Sequence, residues 1–108
     1  MALRRRVVRP RDYDARIWCW KELEEGIPNY AFKVKVNIED VAQDPDVMCE
    51  AFLAIKMNLP HYRPADVDDK LVCSWVIDIA NKYNRDAMCA VSIEYDKMYI
   101  FVRFEPRF

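Results

Sequence analysis

The chain has 108 residues, a length suited to one domain, and 53% apolar side chains, enough for a buried core and too many for a disordered segment. Seventeen basic residues against eighteen acidic ones leave a net charge of −1, which excludes a global field for nucleic acid or acidic lipid. A single glycine, Gly26, excludes phosphate loops of the Walker and dinucleotide types, which need several glycines for the backbone to approach the phosphates.

Residues 1–15 read as an irregular basic arm, because Arg4, Arg5, Arg6, Arg9 and Arg11 all precede the first acidic residue, Asp12. Residues 16–108 form one domain. Its first run, Arg16-Ile17-Trp18-Cys19-Trp20, is aromatic and β-branched and is a candidate strand, ended by a turn at Gly26 and Pro28. Phe32, Val34, Val36 and Ile38 then alternate with Lys33, Lys35 and Asn37, the clearest strand pattern in the chain.

Asp44-Pro45 opens a helix, with a capping carboxylate and proline at the first helical position. Val47, Ala51 and Ile55 form one row of it, and Met48 and Phe52 the next. The proline-flanked segment Asn58–Pro64 interrupts it. A second helix starts near Asp66, with Asp69 in its first turn. Val67, Leu71, Trp75, Ile79 and Tyr83 recur every four residues, and Val72, Val76 and Ala80 lie beside them. Two strands follow: Cys89, Val91 and Ile93 alternate with polar or small residues, and after a turn at Tyr95–Lys97 so do Ile100, Val102 and Phe104 with Tyr99, Phe101 and Arg103. The expected fold is α+β, an antiparallel sheet of three or four strands with two helices on one face, in the order (β)-β-α-α-β-β.

Cys19, Cys49, Cys73 and Cys89 are scattered without a C-x-x-C pair, so neither a metal site nor any cofactor is expected. The last three sit among apolar neighbours and read as buried free thiols, which suits a reducing, intracellular and cytoplasmic setting. No apolar run reaches membrane-spanning length, and the basic arm lacks the apolar core of a secretory signal.

Nothing assembles a catalytic apparatus, so an enzyme is not expected. His61, the single histidine, lies in the helix connector with no serine or cysteine placed beside it. Asp40, Asp44 and Asp46 precede one helix and Asp66, Asp68 and Asp69 the other. Such clusters suit a hard cation or an acid pair, but helix starts also gather carboxylates for capping, and the capping reading is preferred.

The strongest functional pattern is Lys97-Met98-Tyr99-Ile100-Phe101-Val102-Arg103-Phe104. It resembles the RNA-recognition-motif signature, in which two aromatics on an open sheet face stack on bases, with Met98 and Ile100 standing where that signature has small residues. An amphipathic strand whose outer face is covered by the aromatic N-terminal segment or by a partner chain is the preferred alternative.

From Phe32 to Phe104 the order and pattern of elements resemble the small peptide-binding light chains of cytoplasmic dynein. The likeness rests on the strand Phe32–Ile38, the helix with Asp46-Val47-Met48-Cys49-Glu50-Ala51, the helix end Lys82-Tyr83-Asn84, and the strands with Met88-Cys89-Ala90-Val91 and Lys97-Met98-Tyr99-Ile100-Phe101. That resemblance implies a non-catalytic dimerising module that adds a partner strand to its sheet edge. The expected function is accordingly a homodimeric protein-interaction module, using a sheet edge and an aromatic outer face with Trp18, Trp20, Tyr99, Phe101 and Arg103. Two alternatives remain. One is a single-strand nucleic-acid binder using Arg4, Arg5, Arg6, Arg9, Arg11, Lys97, Tyr99 and Phe101; the other is a small viral or phage inhibitor of a host protein.

Overall fold

A computed structural model describes Ile27 and residues 30–107. The candidate strand at residues 16–20 and the basic arm lie outside the described residues. In chain order the elements are β1 (Lys33–Asp40), α1 (Pro45–Asn58), two 3₁₀ turns (Leu59–His61 and Pro64–Asp66), α2 (Asp69–Lys82), β2 (Arg85–Glu94) and β3 (Lys97–Pro106). The α+β class and the β-α-α-β-β order are as the sequence patterns predict. The sheet has three strands in the order β1-β3-β2.

One part of the expectation is corrected. β2 and β3 form an antiparallel hairpin, but β1 runs parallel to β3, so the sheet is mixed rather than antiparallel throughout. Period-two patterning carries no strand direction. Direction follows here from the path of the chain, since both helices and β2 intervene before β3 returns between the other two strands.

Local chemistry starts each helix. The Asp44 side chain accepts the Asp46 N–H at 3.0 Å, with Pro45 in the first turn. The second helix begins later than expected, at Asp69. The Asp68 carboxylate caps it by accepting the Leu71 N–H at 2.8 Å, while Pro64–Asp66 forms a separate 3₁₀ turn. Asp40 closes the preceding loop from inside. It is buried, it accepts the amides of Ala42 and Asp44, and Arg85 Nε lies 3.7 Å away.

Both helices cover one sheet face. Val34, Val36 and Ile38 of β1 and Met98, Ile100, Val102 and Phe104 of β3 pack under Val47, Ala51, Phe52 and Ile55 of α1 and Val72, Val76 and Ala80 of α2. On α2 the fully buried row is the small one. Leu71, Trp75, Ile79 and Tyr83 flank it, partly buried. Small side chains let the helix axis approach the sheet, and the large ones then wrap the sides of the contact. The helices are joined outside the core by Glu50, which takes an ion pair from Lys82 at 2.9 Å and the Tyr83 hydroxyl.

Candidate interaction face

Strand alternation that buries Met98, Ile100, Val102 and Phe104 turns Tyr99, Phe101 and Arg103 to the opposite side. Register then fixes their neighbours. Tyr99 lies between Lys35 and Ser92, Phe101 between Asn37 and Ala90, and Arg103 between Glu39 and Met88, while Lys97 lies between Lys33 and Glu94. No described element packs over this outer face. Phe101 is 38% exposed at its centre, and Met88 beside it is exposed too.

Charge on the face is unevenly distributed. At one end Lys33, Lys35 and Lys97 have no ion-pair partner among the described residues, and Lys33 stands directly across from Lys97. Like charges in that position repel. At the other end Arg103 sits between two carboxylates, 3.4 Å from Glu39 and 3.0 Å from Glu105. The expected partner-binding Arg103 is thus already engaged within its own sheet. Asp86 is likewise held by Arg107 at 3.0 Å.

The two outer edges of the sheet differ. Along β2 the Val91 N–H is taken by the Asp69 carboxylate at 2.7 Å. Along β1, Lys33 N–H donates to the Asp96 carbonyl and Val41 N–H to the Phe104 carbonyl, each at 3.0 Å, so the odd-numbered residues direct their amides to β3. Alternation then points the N–H and C=O groups of Val34, Val36 and Ile38 outward, where no described residue pairs with them. Pattern alone could not find this site, because the unpaired groups are backbone and depend on which strand becomes central.

The remaining candidates are brought together less. His61 is exposed in its 3₁₀ turn. Cys49, Cys73 and Cys89 are free and half-buried, not fully buried. Burial first, then the neighbouring Cys73, pushes the Cys89 thiol up, so it stays protonated. Among the described residues no group of three His, Cys, Asp or Glu side chains could hold a metal ion, and no helix is long and apolar enough to cross a membrane. Trp18, Trp20, Arg4, Arg5, Arg6, Arg9, Arg11 and Cys19 lie outside the described residues. No family model matches the chain, and no curated protein or solved structure matches it either.

Proposed function

We propose that this protein is a non-enzymatic, homodimeric protein-interaction module of the cytoplasm, engaging partners through the outer sheet face and a sheet edge. The observation that carries the reading is the row Tyr99–Phe101–Arg103, set on the central strand of a sheet whose two helices both lie on the other side. A part-exposed aromatic row at the middle of a face, ringed by charge, has the layout of an interface with an apolar centre and a polar rim. The resemblance to the dynein light chains is in keeping with such a module, as is the free state of Cys49, Cys73 and Cys89 with a reducing compartment. Affinity capture should recover protein, and Tyr99→Ala together with Phe101→Ala should abolish it while the melting profile stays cooperative. Capture that survives both changes refutes the assignment of this face.

A second reading has its own observation. Lys33, Lys35 and Lys97 have no ion-pair partner among the described residues and lie near Tyr99, an arrangement that would suit single strands, with phosphates on the lysines and a base on the ring. The acidic end of the same face and the net charge of −1 work against it. Oligonucleotide binding that is tight at physiological salt and lost with Tyr99→Ala would reverse the ranking.

A further inference from the structure

We propose that the outer edge of β1 is the dimer contact, pairing antiparallel with β1 of a second copy about a two-fold axis at Val36. The inference rests on the interaction-module reading only in using a sheet edge; it names the edge, the partner and the register.

Three observations lead to it. First, the edges are not equivalent. The first turn of α2 takes one outward amide of β2, that of Val91, through Asp69, whereas none of the outward amides of Val34, Val36 and Ile38 has a described partner. An eight-residue strand with no proline and with unbroken alternation is a template for another strand. Second, the outward-pointing residues are all even-numbered. An antiparallel mate centred on Val36 sets Val34 opposite Ile38 and Val36 opposite itself. These are the pairs that exchange both hydrogen bonds, about six across the edge. Side chains on the core side of those pairs are apolar in both copies.

Third, the solvent-facing side chains are self-complementary. Lysine on an edge often guards against pairing. In this register Lys33 of one copy stands opposite Glu39 of the other, twice by symmetry, and Lys35 opposite Asn37. A two-fold contact requires a surface complementary to itself, and β1 carries its positive charge at one end and its negative charge at the other. A parallel mate in matching register would instead set Lys33 on Lys33.

Charge exchange with a backbone readout tests this. Sedimentation should find wild-type dimer. Lys33→Glu and Glu39→Lys should each weaken it about tenfold, since attraction becomes repulsion at two symmetric positions. Lys33→Glu combined with Glu39→Lys in one chain should restore it, and so should mixing the two single variants. Lys33→Glu also relieves the repulsion from Lys97, so it should fold. Independently of any variant, amide exchange at Val34, Val36 and Ile38 should slow as wild-type concentration rises.

Three results would overturn the proposal: monomer up to hundreds of micromolar, a dimer that the combined variant does not restore, or concentration-independent protection of those amides, which would place another segment of the same chain on the edge. A monomer that still captures protein through Tyr99 overturns this inference and leaves the module reading standing. A charge-restored dimer that binds only oligonucleotide does the opposite.

Discussion

Asp69 Oδ1 accepts the Val91 N–H at 2.7 Å, so a side chain in the first turn of α2 fastens the outer edge of β2. One carboxylate therefore does two things: it lies at the positive end of the helix dipole, and it occupies an edge amide that would otherwise face water. Asp69→Ala should cost about 1 kcal/mol in urea unfolding, at the low end for a charge-assisted bond because the site is exposed. Asp69→Asn keeps an acceptor and should cost less. Amide exchange at Val91 should quicken in both variants, and equal losses would show that dipole charge, not the edge bond, is what matters.

A contrast within β3 separates core from face. Phe104 is fully buried, and Phe104→Ala should destabilise the fold by about 3–5 kcal/mol through lost transfer energy and a residual cavity. Phe101 points the other way and is part-exposed, so Phe101→Ala should cost under about 1.5 kcal/mol. Comparable losses at the two positions would mean that the outer face is covered in the free protein.

The β2–β3 hairpin turns on Tyr95, which holds φ at 56° and is 98% exposed. A left-handed conformation costs a residue with a Cβ roughly 1–2 kcal/mol, and this ring recovers nothing by packing. Tyr95→Gly should therefore stabilise the protein by about 1 kcal/mol in urea. An unchanged or lower midpoint would mean that the exposed ring has contacts of its own.

Alkaline stability should fall in a defined window. Burial, then the hydrogen bond with Cys73, raises the Cys89 thiol above its ordinary 9.0, and the hydrogen bond to Glu50, then burial, raises the Tyr83 phenol above 10.0. The folded chain keeps protons that the unfolded chain releases, so this stability is full below pH 9.0 and declines as pH rises through 9.0 to 10.0 and beyond. Cys89→Ala should flatten the first part of the decline and Tyr83→Phe the second. An unaltered slope in both would assign it elsewhere.

Much of this architecture is legible in the residues, and the illegible parts share a cause. The Asp44-Pro45 helix start, the strand through Val34, Val36 and Ile38 and the outward aim of Tyr99 and Phe101 follow from local period and capping chemistry. The delayed start of α2 is less legible, since Asp66, Asp68 and Asp69 are all competent caps and the turn at Pro64–Asp66 decides between them. The direction of β1, the buried role of Asp40 and the unequal edges belong to strand order, which joins residues 33–40 to residues 97–106 and leaves no mark on either stretch alone. The same holds for the face: Lys33 and Lys97 are far apart in sequence, and their opposition exists only after the parallel pairing is made.

The placement of β3 between β1 and β2 also bears on how the molecule comes to exist. Neither outer strand touches the other in the sheet, so among the described residues each has its one strand partner in a segment that follows both. A growing chain can form α1 and α2 as they emerge, but it holds Val34, Val36 and Ile38 without a neighbour until residues 97–106 have left the ribosome. Every β1–β3 pair joins residues 64 positions apart, as Lys33 and Lys97 are, the kind of distant contact that slows folding. During synthesis the β1 strand is thus exposed to chance pairing, and Lys33 and Lys35 oppose a parallel mate in matching register, which would set each lysine on its own copy.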